Sequence, residues 1–302
     1  MNAFEVPEVD YDQYTNRQLA AVPLAVLALA ILILVGWSLF VSGSVASPGA
    51  PVSPGIDFTG GSELTVVTSM SKAEIGDQFD TEPISVQQAA ENAEAETVGP
   101  NENQYIVRFQ SFDTQSLRDQ AQSADMQLLS SSSTSATFGG DNQTTAVVGV
   151  LIAFAGMSAI VFALFRSFVP SIAVVVSAFS DIVIPLAAMN VLGIELSLGT
   201  VAALLMLIGY SVDSDILLNN HILRRSGSFY ESVHRAMETG VTMTITSLSA
   251  MAVMAVVASF FNIQLMASIG TVLVIGLAAD LMNTYMLNLS LLRWYKFEGV
   301  NR

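Results

Sequence analysis

Six stretches of the chain stay apolar for roughly the 20 residues that a helix needs to cross hydrocarbon: residues 20–41, 144–165, 168–192, 197–221, 241–261 and 265–291. They predict six membrane-spanning helices. Between the first and the second the pattern changes. Apolar and polar residues alternate at 62–68 (SELTVVT) and 103–109 (NQYIVRF), which predicts strands, while helical periodicity appears near 85–96 and 113–124. The expected fold class is therefore a membrane α-helical protein: a six-helix bundle with a small α+β domain between helices 1 and 2.

The boundaries follow from the same pattern. Residues 1–19 precede the first helix, which occupies 20–42, and the outer segment covers 43–143. A five-helix unit takes up 144–292, and 293–302 form a tail. The first apolar run is longer than the roughly 7–15 residues of a signal peptide core, and its leader is acidic, so it reads as a retained anchor. Arg17, Arg166, Arg224, Arg225, Arg235, Arg293, Lys296 and Arg302 lie at the ends of spans on one side, whereas the short connections GIEL and FNIQ have no base. Both termini are thus expected in the cytoplasm and residues 43–143 outside. The linker at 43–55 contains SPGAPVSPG and is expected to be extended and mobile, and the serine run SSSSTS at 130–135 to be a flexible loop. Ser228 and Glu231 have capping-box spacing and open an amphipathic stretch, 228–239, expected to lie at the cytoplasmic interface.

Composition narrows the function. Of 302 residues, 52% are hydrophobic and 12% charged, against about 25% charged in soluble domains. There is no cysteine, and the only histidines are His221 and His234. Disulfides, iron–sulfur clusters, thiolate nucleophiles and ordinary zinc sites are excluded, so no metal and no cofactor is expected. The serines, acids and histidines trace no Ser/His/Asp constellation, and an enzyme is not expected. The formal charge of −15 rules out nucleic acid as the main partner. Residues 57–143 hold 14 acids and 3 bases, a net of −11, which suits a surface that works in strong salt.

The chemistry that remains lies inside the spans. Asp181, Asp213, Asp215 and Asp280 each cost about 2.5–3.5 kcal/mol at mid-helix on an insertion scale. No Lys, Arg or His occupies the core of any span. Three ways of accommodating the acids are open: protonation, hydrogen bonds from neutral donors, or a cation from another subunit. Donors are available in Ser180, Ser211, Ser214, Asn219, Asn283 and the row Thr242, Thr244, Thr246. Residues two apart point about 200° from each other, so Asp213 and Asp215 cannot share a face. Asp215 aligns with Ser211 and Asn219, and Asp213 with Gly209. One acid is expected to face this chain's own bundle and the other a partner.

Two motifs resemble the SecF family of protein-export membrane subunits. The first is GIDFTGG at 55–61, where Gly60 and Gly61 permit a tight turn and Asp57 can cap amides; Gly55 opens the motif. The second is ALLMLIGYSVDSDILLNNHI at 203–222, which includes Gly209, Tyr210 and Ser211. The resemblance spans nearly the whole chain. It implies an RND-type bundle at the cell membrane that pairs with a SecD-like subunit, sits beside the Sec translocation channel and promotes movement of the translocating polypeptide. In bacterial members proton flux drives this. There an acid stands at the place of Ser214, a histidine at that of Ser180 and an arginine at that of Met243. These departures are similar to the archaeal branch, and with the acidic outer domain they imply a salt-loving source. Two alternatives stay open: a scaffold that stabilises SecD and the channel without moving ions, and an RND-like exporter of lipid or small solutes.

Overall fold

The structure is a computed structural model, and it describes residues 11–44, 49–88, 102–224, 228–261 and 263–299. Six helices in it are long and apolar enough to cross a membrane. Helix α1 (Asn16–Gly36) starts at a capping box in which Thr15 Oγ1 accepts from the Gln18 amide and the Gln18 side chain accepts from the Thr15 amide. A π-helical turn, Trp37–Val41, ends it on the side of the small α+β domain.

The small α+β domain follows, termed the outer domain after its expected side of the membrane. A single turn, α2 (Ile56–Thr59), leads into strand β1 (Gly61–Thr68). After it come α3 (Lys72–Gly76), β2 (Ser85–Gln88), β3 (Asn103–Phe109), α4 (Thr114–Ser123) and β4 (Gln127–Thr134). The strands form one antiparallel sheet in the order β2-β3-β1-β4. Alternate residues Leu64, Val66, Tyr105, Val107 and Phe109 pack with Ile75, Phe79, Leu117 and Ala121 into a core on one face. Directly opposed in register, Glu63 and Arg108 form an ion pair of 2.8 Å on the other face.

Both expected strands are present, but three details differ. The helical periodicity at 85–96 gives way to strand β2 at 85–88, with residues 89–96 outside the described residues. Four residues are too few for periodicity to decide, and the free edge of β3 pairs with them. The serine run is not a loop: Ser130–Thr134 pairs with β1 as an edge strand, since ladder hydrogen bonds override the weak intrinsic preference of serine. The described part of the linker is also tied down. Gly55 N donates to Leu196 O and Leu196 N to Ser53 O, both at 2.8 Å, and Asn190 Nδ2 donates to Pro51 O at 2.7 Å.

The membrane helices are α5 (Ala136–Phe165), α6 (Phe168–Leu192), α7 (Leu198–Arg224), α8 (Phe229–Phe260) and α9 (Gln264–Met282). Helix α5 begins inside the outer domain, capped by Ser135, so domain and span are one rod. Helix α8 likewise starts at the Ser228 cap, and its amphipathic first turns, 228–239, run unbroken into the span. From α9 the chain continues through a π-helical stretch (Asn283–Asn288) into α10 (Leu289–Trp294). Helices α6, α7 and α9 form the centre, while α1, α5 and α8 expose aliphatic residues such as Leu29, Leu32, Leu151, Ile152 and Val256 outward. At the end of the bundle away from the sheet, Arg293 Nη1 donates to the carbonyls of Tyr11 and Tyr14 at 2.9 Å, holding the segment before α1.

The base of the domain rests on the α6–α7 turn. Asp57 Oδ2 accepts from the Leu198 amide at the start of α7 (3.0 Å), and a Cβ on Gly139 would stand 2.7 Å from the Gly60 nitrogen. A cleft of about 300 Å³ between them is lined by Asp57, Glu63, Arg108 and Glu195. Burial raises the Glu195 pKa above its ordinary 4.5; Arg108 opposes the shift and Asp57 adds to it. Folding thus favours the neutral acid. Stability from this group is full at low pH and declines as pH rises from the ordinary value through the raised one. Accordingly, protection of the Gly55 and Leu196 amides from exchange, corrected for intrinsic rates, is expected to fall as pH rises across that window. Glu195→Gln should flatten the dependence, and an unchanged slope would contradict the assignment.

Candidate functional site: a carboxylate cluster inside the bundle

Three of the four intramembrane acids meet at the centre. Asp181 comes from α6, Asp215 from α7 and Asp280 from the last turn of α9, and all three side chains are buried. Spacing explains the α9 contribution: Asp280, Asn283, Thr284 and Asn288 lie at i, i+3, i+4 and i+8 along one side of the rod. A π-helical stretch begins at Asn283, and such turns recur at functional sites in helices. Pro185 lies four residues after Asp181 and has no N–H to give to the Asp181 carbonyl, so α6 is weakened at this depth.

Neutral donors hold the acids. Ser211 Oγ donates to Asp181 Oδ2 and Asn283 Nδ2 to Asp181 Oδ1, both at 2.6 Å. Ser214 Oγ lies 2.8 and 3.0 Å from the two oxygens of Asp280. Asp215 Oδ1 receives Thr284 Oγ1 at 2.8 Å and Asn288 Nδ2 at 2.7 Å. Among the described residues no cationic side chain enters this set, and no group of acids and histidines has metal-binding geometry. The buried polar atoms here with no hydrogen-bond partner are four acceptors, Asp215 Oδ2, Asn219 Oδ1, Asn283 Oδ1 and Asn288 Oδ1, and three hydroxyls, those of Ser177, Ser180 and Tyr285. The amide orientations of Asn283 and Asn288 are fixed because their nitrogens serve the acids. The three acids are thus served by neutral hydroxyls and amides alone, in a site that water-like dielectric does not reach.

Asp213 is elsewhere. It is exposed on the outer side of α7, below the exposed Gly209, so the two neighbouring acids do point to opposite sides. Tyr210 is half-buried and Ser211 joins the cluster. Of the other donor candidates, Ser180 is buried without a partner and Asn219 Nδ2 donates to the Pro170 carbonyl. Thr242 and Thr246 bond their own helix, Met243 is exposed, and Thr244 is buried. The residues Gly55, Asp57, Gly60 and Gly61 lie at the base of the outer domain, with Gly60 and Gly61 at φ +74° and +143°. Thr284, Asn288 and Pro185 were not among the sequence candidates. The four-residue spacing of Asp280, Thr284 and Asn288 was the signal that could have found them.

This is the architecture of a polytopic membrane protein whose helices enclose an uncompensated carboxylate centre and whose outer domain stands on the α6–α7 turn. The chain belongs to the SecD/SecF family: the family model "Protein export membrane protein SecD/SecF, C-terminal" matches residues 114–298 and "SecD/SecF GG Motif" matches 45–72. It is 61% identical, over the full length of both chains, to "Protein-export membrane protein SecF" of Haloferax volcanii, and 58% to that of Haloquadratum walsbyi, again at full coverage. With that of Methanocaldococcus jannaschii it shares 38% over 92% of this chain and 95% of the relative. The crystal structure of SecDF, a translocon-associated membrane protein from Thermus thermophilus, superposes with a TM-score of 0.69 at 18% identity. That match covers 98% of this chain and 39% of the other, so this chain spans well under half of it.

Removing a donor from a buried acid leaves a desolvated acceptor, at a cost of about 1–3 kcal/mol. Asn283→Leu is expected to lower stability by about that much in thermal unfolding of detergent-solubilised protein, and Thr246→Val, on the outer side, to leave it unchanged. Equal stability of Asn283→Leu and the unaltered protein would contradict the cluster.

Proposed function

We infer that this chain is an accessory subunit of Sec protein export in the cell membrane, working with a SecD-like membrane subunit on polypeptides that leave through the Sec channel. Its bundle takes up protons at the Asp181–Asp215–Asp280 cluster, and the outer domain, residues 43–143, works on the extracellular side with both termini in the cytoplasm. Family membership and near-complete identity coverage with SecF proteins of halophilic archaea support the export role. The distribution of Lys and Arg supports the orientation.

The observation that carries the proton reading is the burial of three carboxyls together with no positive side chain among them. One added proton removes a buried negative charge and lets one carboxyl donate to another group, so its binding discriminates between packings of α6, α7 and α9. A ligand shifts a conformational equilibrium only through such differential binding. Asp213 supports the partner. An exposed acid at mid-helix is costly against acyl chains, and a SecD-like helix with a donor or cation would relieve it.

A scaffold without ion traffic is the second reading, favoured by Ser180 and Met243 at the places of the bacterial histidine and arginine. The two part on one experiment. Asp215→Asn and Asp280→Asn keep size and hydrogen bonding but cannot titrate. Expressed in a halophilic host deleted for its own copy, each is expected to reduce export of a reporter by at least about tenfold, or about 1.4 kcal/mol, while still co-purifying with the SecD-like subunit. Full export by both variants would leave the scaffold.

A further inference from the structure

One hydroxyl in the cluster behaves unlike its counterparts. Serines and threonines within the helices mostly bond the carbonyl one turn back, as do Ser158 to Phe154, Thr242 to Glu238, Ser249 to Ile245 and Thr271 to Ala267. Thr284 does not. Its Oγ1 lies 2.8 Å from Asp215 Oδ1 on α7 and 3.3 Å from Asp280 Oδ1 on its own rod, so one hydroxyl stands between two carboxyls.

A hydroxyl has one proton and two lone pairs. While Thr284 donates to Asp215, its lone pairs face Asp280 Oδ1, an arrangement that is attractive only if that oxygen carries a proton. Ser214 cannot fill the gap alone. Its single proton has three acceptors within reach, the Ser211 carbonyl at 2.9 Å and the two Asp280 oxygens, and its oxygen lies 3.3 Å from that of Thr284. Two hydroxyl protons thus serve more acceptors than they can satisfy. One carboxyl proton completes the row Asp280 Oδ1–H to Thr284 Oγ1–H to Asp215 Oδ1.

We propose that Thr284 is the positioning residue through which Asp280 and Asp215 exchange a proton. In the forward step the O–H bond of Asp280 breaks as its proton joins Thr284 Oγ1, and the original Thr284 O–H breaks as that proton joins Asp215 Oδ1. Asp280 is left as carboxylate, Asp215 as acid, and Thr284 neutral as before. The Thr284 proton then faces Asp280 Oδ1, and the row resets when Asp280 is protonated again, Asp215 releases its proton and the hydroxyl rotates back toward Asp215 Oδ1. The other titratable groups facing it are Asp181 from α6 and Tyr285 from the same rod. Asn288 Nδ2 also holds Asp215 Oδ1, at 2.7 Å, and fixes the receiving oxygen.

This inference rests on the proton reading given above, and the test separates the two. The protein is reconstituted with its SecD-like subunit in vesicles that enclose a pH-sensitive dye, and proton entry is measured for Thr284→Val, Thr284→Ser, Asp215→Asn and Asp280→Asn. Valine keeps the volume and removes the hydroxyl; serine keeps the hydroxyl. Thr284→Val should slow proton entry by at least about tenfold, in line with loss of a positioned proton-transfer group, with co-purification unchanged and Thr284→Ser close to the unaltered complex. Normal entry in Thr284→Val, with both Asp variants inactive, would overturn the relay and leave the proton-binding cluster standing. Equal loss in the valine and serine variants would also overturn it, because the hydroxyl would then not be what matters. Normal entry in all four would remove the proton reading and the relay together.

Discussion

A carboxyl group deep in hydrocarbon must find hydrogen-bond donors, a counter-charge or a proton, and much of this bundle is arranged around three that have no counter-charge of their own. Serving them requires hydroxyls and amides on three helices to converge within hydrogen-bonding distance, which sets how closely α6, α7 and α9 pack. Small residues permit that approach: Leu207 of α7 packs against Gly276 of α9, and a Cβ on Gly270 would meet the Cβ of Ala255 on α8 at 2.9 Å. Where the α9 rod meets the cluster its winding widens into the π-helical stretch, and α6 lacks a backbone hydrogen bond one turn past Asp181 because of Pro185. Two of the three helices that hold the acids, α6 and α9, are therefore also locally softened beside them.

Helices α6 and α7 also reach the outer domain. Asn190, nine residues beyond Asp181 and so about 14 Å along α6 at 1.5 Å per residue, grips the linker carbonyl of Pro51. The first amide of α7 is held by Asp57 of the glycine-rich motif. A change in how α6 packs against α7 at the cluster would reach the base of the domain through these helix ends and hydrogen bonds. Helix α5 adds a second rigid link, running from the domain into the membrane without a break.

Much of this was legible in the sequence, for identifiable reasons. The six spans are long enough to stand out by hydropathy alone, and the strands at 62–68 and 103–109 alternate cleanly because one face of the sheet is buried and the other is not. That Asp213 and Asp215 face opposite ways followed from 100° per residue. Short elements were harder. Strand β2 and the serine-rich β4 exist because β3 and β1 offer free edges, information that lies tens of residues away in the chain. The linker looked mobile by composition, yet its carbonyls and amides are taken up by Asn190 and Leu196, a partnership that no local pattern announces. At the centre, the acids were conspicuous because charge in a span is rare, whereas Thr284 and Asn288 resemble ordinary helix polar residues until the partners they touch are known.

Whether carboxyls in the bundle share protons instead of pairing with cations can be read from infrared spectroscopy of the reconstituted complex. At neutral pH and high salt the complex should show the C=O stretch of a protonated carboxyl, shifted in heavy water and diminished by substituting Asp215 or Asp280 with Asn. A spectrum with only ionised carboxylate bands, unaffected by those substitutions, would contradict it.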